Sequence, residues 1–312
     1  MIDILLIIVG LSGLFFGGEM FVRSASQMAR QFGISMLVIG LTVVAVGTST
    51  PELIVSVGAA LEGSSDIALG NVVGSNIINI GLIAGLAALI MPFAVHVRML
   101  RQEIPIMLGV TLIAYVLMLD QVLSRTDGIL LLMGAAGYFT WMIVSSRQVQ
   151  VEADTSQDSQ DETINPRREV LFLVIGLVLL LAGARFTVNG AVNIATAIGL
   201  SELVIGMTLV AVGTSLPELV TSVVAARRGE SDIALGNVVG SNIANLLVIL
   251  GMTAVIQPIP VDQDVIQLDA LVMIGFALLL IPFAFNRHIS RREGLAFVTA
   301  YIAYTVFLLI GR

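Results

Sequence analysis

The sequence contains no cysteine and no lysine, and only 12% of its 312 residues are charged. Without cysteine, the chain can form neither disulfides nor thiolate metal sites. Hydrophobic residues make up 57% of the chain, and its mean hydropathy lies far above that of soluble domains. The composition therefore predicts a membrane protein rather than one or two soluble domains with a large core.

Apolar stretches long enough to cross a hydrocarbon core of about 30 Å occur ten times along the chain. The first stretch lacks a basic n-region and a small-residue cleavage site, so we interpret it as a membrane helix rather than a secretory signal. We predict an all-α, polytopic membrane protein with ten transmembrane helices. The stretches lie near residues 2–22, 34–60, 67–90, 103–119, 127–146, 170–190, 202–226, 233–256, 268–286 and 294–311.

All fifteen basic residues are arginines, and their placement is one-sided. With ten spans, one face of the membrane receives Arg23, Arg30, Arg98, Arg101, Arg147, Arg167, Arg168, Arg227, Arg228, Arg287, Arg291 and Arg292. The other face keeps Arg125, Arg312 and Arg185, beside Asp3, Glu62, Asp66, Asp120, Asp262 and Asp264. The positive-inside tendency places the arginine-rich face in the cytoplasm. We expect a multi-pass protein of the cell (inner) membrane with both termini outside.

A long segment of the chain occurs twice: residues 37–82 return, with most positions identical, as residues 203–248. The least apolar stretch, 147–169, lies between the fifth and sixth spans and is interpreted as a short cytoplasmic linker. It separates two five-helix repeats, 1–146 and 170–312. Because five is an odd number, the second repeat must enter the membrane from the opposite side. Such inverted repeats are typical of secondary transporters, whose sites lie near the midplane where the repeats meet.

Each copy places one glutamate in an otherwise apolar, glycine-rich segment, four residues after a threonine, so that both side chains share one helix face. A proline directly before each glutamate is expected to kink the helix and to free the carbonyl of Gly47 or Gly213. The next span of each copy carries a serine four residues before an asparagine. These residues are Thr48, Pro51, Glu52, Ser75 and Asn79, and then Thr214, Pro217, Glu218, Ser241 and Asn245.

Together these side chains and carbonyls form a set of oxygen donors that contains no histidine and no cysteine. Oxygen ligands suit hard cations such as Ca²⁺ and Na⁺ and disfavour zinc and copper. Two carboxylates can be neutralised by one Ca²⁺, by two Na⁺ or by two protons. Because an unneutralised acid at the bilayer centre is costly, such a site favours an exchanger that does not cross the membrane without cargo.

The paired motifs GTSTPEL with GNVVGSNIIN and GTSLPEL with GNVVGSNIAN resemble the α1 and α2 repeats of the Ca²⁺/cation antiporter superfamily, above all the compact prokaryotic sodium/calcium exchangers. The resemblance implies ten helices in two inverted halves, with the first and sixth helices sliding across a rigid core. It also implies antiport of one Ca²⁺ against several Na⁺ by alternating access.

By the same resemblance, the Ca²⁺ ligands are Glu52 and Glu218 with oxygens of Thr48 and Thr214. The Na⁺ positions add Ser49, Ser75, Ser215 and Ser241, and the backbone carbonyls of Ala45 and Ala211, with Asn79 completing the centre. Asn245 is a departure, since some microbial members carry an aspartate there. The pocket of this chain then holds two acids rather than three.

Several alternatives stay open. An H⁺/Ca²⁺ exchanger would titrate the two glutamates, but the proton-coupled branch usually resembles GNxxE where this chain has GNVVG. A K⁺-dependent Na⁺/Ca²⁺ exchanger and a cation channel could use the same oxygens. An intramembrane hydrolase is disfavoured, so we expect no enzyme. We expect no cofactor, no nucleic acid and no obligatory protein partner, with Ca²⁺ and Na⁺ as substrates and the lipid bilayer as surroundings.

Four further residues are interpreted as structural. Glu103 and Asp269 lie near the ends of their spans and are predicted to be interfacial. Tyr138 and Trp141 are predicted to belong to an aromatic belt at the membrane surface.

Overall fold

The fold is known from a computed structural model that describes residues 2–153, 165–199 and 211–311. Within these ranges, eight helices are long and apolar enough to cross a membrane, and one bent pair, Met36–Thr48 with Thr50–Leu61, makes up to nine. Residues 202–210 of the predicted span near 202–226, 203–210 of the second motif and 154–164 of the linker lie outside the described ranges. The helices Arg125–Ala153 and Pro166–Ala197 both extend into the predicted linker 147–169.

The helices of the first half are α1 (Ile2–Gln31), α2 (Met36–Thr48), α3 (Thr50–Leu61), α4 (Ser65–Ile90), α5 (Ile104–Met118) and α6 (Arg125–Ala153). Those of the second half are α7 (Pro166–Ala197), α8 (Ala211–Thr214), α9 (Leu216–Arg227), α10 (Ser231–Ile256), α11 (Ala270–Ala284) and α12 (Arg291–Gly311).

Helices α1 and α7 cross as a closely packed antiparallel pair. The side chain of Asn193, near the end of α7, donates a 2.8 Å hydrogen bond to Asp3 at the start of α1. Glycines let the two backbones approach, because a Cβ on Gly183 would lie 2.7 Å from the carbonyl oxygen of Gly10. Gly17 and Gly176 make the equivalent approach further along the pair. The two helices therefore run in opposite directions and fit together only because these positions lack side chains.

Two short antiparallel strand pairs join loops that the arginine pattern places on the same membrane face. Strand β1 (Phe93–Ala94) pairs with β4 (His288–Ile289) between arginine-bearing loops. Strand β2 (Val122–Leu123) pairs with β3 (Ile259–Pro260) between loops on the acidic face. The pairing agrees with the predicted sorting of these loops into two faces.

Short π-helical turns interrupt the α-helical structure at equivalent places in the two halves. One such turn, Asn79–Ala84, lies inside α4, and its counterpart Asn245–Ile249 lies inside α10. Another pair, Met99–Glu103 and Val265–Asp269, leads into α5 and α11. Helix α2 contains a further turn at Gly40–Val44. Such turns are rare and occur frequently at functional sites.

Glu103 and Asp269, which the sequence predicts to be interfacial, are both buried by neighbouring helices. Glu103 is fully buried and accepts hydrogen bonds from the Tyr138 hydroxyl (3.0 Å) and from Arg98 (3.1 Å). Asp269, which is 8% exposed, accepts a 2.8 Å bond from the hydroxyl of Tyr304. Tyrosines from α6 and α12 thus satisfy carboxyl groups that would otherwise need water. Tyr138 is accordingly buried and is not part of an aromatic belt, whereas Trp141 is 39% exposed.

Candidate cation-binding site

The second span is broken where the sequence predicts a kink. Helix α2 ends at Thr48, α3 begins at Thr50, and the two are bent by 44° around Ser49. Pro51 stands in the first turn of α3, where its missing amide costs no hydrogen bond. Thr48 and Glu52 therefore lie on the two sides of a break, not on one continuous helix face as their spacing suggests.

The second copy has the same break. Helix α8 ends at Thr214, α9 begins at Leu216, and Ser215 between them has φ −90° and ψ 9°, close to the −77° and 8° of Ser49. Pro217 again occupies the first turn of the following helix. The repeated GTSxPE motif thus folds twice into the same helix–break–helix unit.

The two glutamates are linked across the copies by serines at the breaks. The hydroxyl of Ser49 donates a 3.0 Å hydrogen bond to Oε1 of Glu218, and the hydroxyl of Ser215 donates an equally long bond to Oε1 of Glu52. Both glutamates are only 1% exposed. In each of them the other carboxylate oxygen, Oε2, is buried without a hydrogen-bond partner among the described residues. The two copies therefore build one shared pair of carboxylates.

Helices α4 and α10 contribute asparagines at the start of their π-helical turns. Asn79 donates a 3.0 Å bond to Asn242, whereas its own Oδ1 has no partner in the described part of the chain. Neither Oδ1 nor Nδ2 of Asn245 has a partner in those same ranges. The hydroxyl of Ser241 lies 3.5 Å from the carbonyl oxygen of Ala45, so α10 meets α2 at one of the predicted backbone ligands.

Two asparagines absent from the predicted site, Asn237 and Asn71, join its parts. Oδ1 of Asn237 accepts a 3.1 Å bond from the hydroxyl of Thr48. Its amide nitrogen donates to the backbone carbonyl of Glu218 (3.2 Å) and to the hydroxyl of Ser222 (2.9 Å). Asn237 thus connects a threonine of one copy to the glutamate-bearing helix of the other.

Asn71 makes the mirror-image contacts. Its Oδ1 lies 3.5 Å from the hydroxyl of Thr214, and its amide donates to the carbonyl of Glu52 (3.1 Å) and to Ser56 (2.9 Å). Both asparagines occupy the GN position of the repeated GNVVG motif, and both serines follow their glutamate by four residues. A polar residue repeated in two apolar helices was the signal that could have identified them.

Hydrogen bonds connect most of the predicted ligand residues across the two copies, in two equivalent sets and one further contact between Ser241 and Ala45. Ser75 is also buried, with 2% of its surface exposed, and of Ala211 only the backbone, at the start of α8, is described. The predicted residues that the contacts above connect are Ala45, Thr48, Ser49, Glu52, Thr214, Ser215, Glu218 and Ser241.

The oxygen atoms of the predicted ligand residues suit a hard cation. Buried polar atoms without partners are rare in proteins, yet within the described ranges five such atoms occur on the predicted ligands Glu52, Glu218, Asn79 and Asn245. Carboxylate, amide and hydroxyl oxygens of this kind bind Ca²⁺ and Na⁺. Among the described residues, no three histidines, aspartates or glutamates cluster in the way that a transition-metal site requires.

Comparison with known proteins identifies the family. Residues 2–144 and 169–310 match the sequence model of the family described as sodium/calcium exchanger protein. The chain belongs to this family. The matched ranges are the two halves on either side of the acidic linker, so both copies of the repeat carry the family's sequence pattern.

Relatives of this exchanger-family chain align over nearly its whole length. The inner membrane protein YrbG of Escherichia coli is 39% identical, with 97% of this chain and 95% of YrbG covered. The sodium/calcium exchanger MaX1 of Methanosarcina acetivorans is 36% identical, with 98% of each chain covered. A structure of the sodium-calcium exchanger NCX_Mj, soaked without Na⁺ and Ca²⁺, is 35% identical and has a TM-score of 0.86, covering 98% of this chain and 99% of NCX_Mj.

Proposed function

We propose that this member of the family exchanges Ca²⁺ for Na⁺ across the membrane at the site between the two copies. The observation that carries the proposal is the crossed contact of each glutamate with the serine of the other copy, which leaves one buried oxygen of each carboxylate available to a cation. MaX1 is a sodium/calcium exchanger and NCX_Mj a sodium-calcium exchanger, which supports the same activity here. The protein is then a transporter and not an enzyme.

Charge explains why such a site exchanges ions rather than conducting them. Each unneutralised carboxylate at the bilayer centre costs at least about 2.5 to 3.5 kcal/mol. One Ca²⁺ or two Na⁺ neutralise the pair formed by Glu52 and Glu218, whereas a site without ions or protons keeps a charge of minus two. The loaded protein can therefore change conformation more readily than the empty one, which couples the two ion fluxes.

We assign the individual ligands as the family resemblance implies. Ca²⁺ is bound by Glu52 and Glu218 with the oxygens of Thr48 and Thr214, which lie on either side of the breaks at Ser49 and Ser215. The Na⁺ positions use Ser49, Ser75, Ser215 and Ser241, the carbonyls of Ala45 and Ala211, and Asn79. Asn245 adds a neutral amide oxygen, so the pocket with Ca²⁺ is electrically neutral.

The transport cycle rests on ten helices in two inverted repeats, 1–146 and 170–312, joined by the cytoplasmic linker 147–169. The antiparallel crossing of α1 and α7 and the pairing of loops on matching faces support opposite orientations of the repeats. Sliding of α1 and α7 across the remaining helices would open the midplane site to one face at a time. The arginine-rich face lies in the cytoplasm and both termini lie outside.

Uptake of ⁴⁵Ca²⁺ into proteoliposomes tests this activity. We expect uptake under an outward Na⁺ gradient and only background uptake under an outward H⁺ gradient or with no gradient. Because two ions compete for one carboxylate pair, external Na⁺ should inhibit the uptake. Addition of K⁺ to the lumen should leave the rate unchanged.

Each alternative has its own outcome in this assay. Uptake driven only by the H⁺ gradient would replace the proposal by H⁺/Ca²⁺ exchange. Strict dependence on K⁺ would show a K⁺-dependent exchanger, and uptake without any counter-gradient would show a channel. Vesicles without protein give the background.

A further inference from the structure

At the arginine-rich face, α1 rests on the end of α9. Glu19 of α1 forms a 2.8 Å ion pair with Arg228, the residue that caps α9. One residue before Glu19, a Cβ on Gly18 would lie 2.8 Å from the side chain of Val220. Val224, one turn further along α9, is only 4% exposed. Apolar packing and an ion pair thus hold the first helix against the second copy.

The two copies are related by a constant shift in residue number. A shift of 166 takes Glu52 to Glu218, and the same shift takes Gly17 of the α1–α7 crossing to Gly183. No insertion or deletion therefore separates the first helix of each half from its glutamate motif. Residues of α1 can be matched one by one to residues of α7.

Applied to the ion pair, this shift gives a second pair with both charges reversed. The counterpart of Glu19 is Arg185 on α7, and the counterpart of Arg228 is Glu62, the residue that caps α3. In the first pair the acid lies on α1 and the base caps α9. In the second pair the base lies on α7 and the acid caps α3. The two charges of the pair remain opposite in sign, although the acidic and basic residues have exchanged positions.

The second pair is not formed in this conformation. Among the described residues, no ion pair joins Arg185 to Glu62. The face of α3 on which α7 would rest is also uncovered, because Ile54, the counterpart of Val220, is 67% exposed. Gly58, the counterpart of Val224, has no described heavy atom within 4 Å of an added Cβ. The first copy thus offers an empty equivalent of the surface that α1 covers on the second.

We propose that Glu62 and Arg185 form the ion pair of the opposite transport conformation, in which α7 rests on α3 and the pair between Glu19 and Arg228 is open. The inference depends on the alternating access proposed above. Because α1 and α7 pack through glycine contacts along their crossing, they move as one unit. Docking at one face then requires undocking at the other, and each face is closed by its own charge pair.

The two membrane faces are closed by different numbers of ionic contacts. Glu230 also accepts 2.8 Å hydrogen bonds from Ser26 and Arg30 of α1 at the arginine-rich face. The shift takes these three residues to Ser64, Val192 and Thr196, which cannot form an ion pair. Closure of the arginine-rich face therefore has one ionic contact more than closure of the acidic face.

The natural absence of cysteine permits a direct test with paired substitutions in the full-length chain. A disulfide needs Cα atoms within about 7 Å of each other. The long side chains of an arginine–glutamate pair commonly leave the two Cα atoms further apart than this. A bifunctional methanethiosulfonate reagent of matching reach is therefore used. We expect the pair Glu62→Cys with Arg185→Cys to cross-link and to stop transport, as should Glu19→Cys with Arg228→Cys. A variant carrying all four cysteines should acquire either cross-link in each molecule, never both.

A transport-active protein whose Glu62→Cys/Arg185→Cys pair never cross-links, while the other pair does, would overturn the proposal. So would molecules that carry both cross-links. The single-cysteine variants are the controls for intermolecular reaction. Cross-linking is read on a gel and does not depend on which ion is transported. The transport assay of wild-type protein tests Na⁺/Ca²⁺ exchange, so a failure of that proposal can be distinguished from a failure of the ion-pair proposal.

Charge reversal tests the electrostatic part. Glu62→Arg or Arg185→Glu alone places like charges together and should slow exchange several-fold, whereas the combined variant should recover to within about twofold of wild type. If the combined variant is as slow as the sum of the single effects predicts, the two residues do not pair.

Discussion

Replacing Glu52 or Glu218 by glutamine should reduce Na⁺-driven Ca²⁺ uptake to background. Glutamine retains the oxygen that accepts the serine hydrogen bond, so the crossed contacts with Ser215 or Ser49 can persist. What is lost is one negative charge of a buried pair. Removing one partner from a buried ion pair costs about 3 to 5 kcal/mol, which corresponds to Ca²⁺ binding weaker by on the order of 10² to 10⁴-fold. ⁴⁵Ca²⁺ uptake and Ca²⁺ titration of the purified variants measure both effects.

Asp262→Asn is the matched control, because it removes the same charge from an exposed loop residue. Its uptake should equal that of wild-type protein. Retention of wild-type uptake in either glutamine variant would show that the carboxylate pair is not the transport site.

Gly240→Ala should lower uptake by about tenfold or more while the protein still inserts into the membrane. A Cβ at this position of α10 would lie 2.7 Å from both Cα and the carbonyl oxygen of Leu41, which are backbone atoms of the π-helical turn in α2. Overpacking of this kind typically costs about 1 to 3 kcal/mol. The two helices must separate, and the neighbouring Ser241 then moves away from the carbonyl of Ala45. Uptake and thermal stability in detergent report the change.

Gly137→Ala provides the comparison. Gly137 is an exposed residue of α6, and an added Cβ would meet no described atom within 4 Å. Alanine is a better helix former than glycine by up to about 1 kcal/mol, so stability should be equal or higher with unchanged uptake. Wild-type uptake and wild-type stability in Gly240→Ala would contradict the tight contact between α2 and α10.

The sequence predicted the features that depend on local pattern. Long apolar runs located the membrane helices, because the bilayer requires about twenty apolar residues per span. Pro51 and Pro217 located the two breaks, because proline cannot continue a helix without losing a hydrogen bond. The duplicated glutamates indicated a shared site, and the structure connects each of them to a serine of the other copy.

Features that depend on tertiary packing could not be predicted in the same way. The π-helical turns that begin at Asn79 and Asn245 have no local signature in the sequence. The buried pair of Glu103 and Tyr138 joins residues 35 positions apart on two helices. Nearness to a span end could not reveal this burial, because the hydrogen-bond donor comes from a neighbouring helix.

The position of Ca²⁺ in crystals grown with Ca²⁺ and without Na⁺ tests the account most directly. An anomalous difference map should show one Ca²⁺ between Glu52 and Glu218, with Oε2 of each at about 2.3 to 2.6 Å, and the peak should disappear when Na⁺ replaces Ca²⁺. A Ca²⁺ peak elsewhere, such as beside Glu103 and Tyr138, or one that persists at saturating Na⁺, would contradict a single carboxylate pair shared by the two ions.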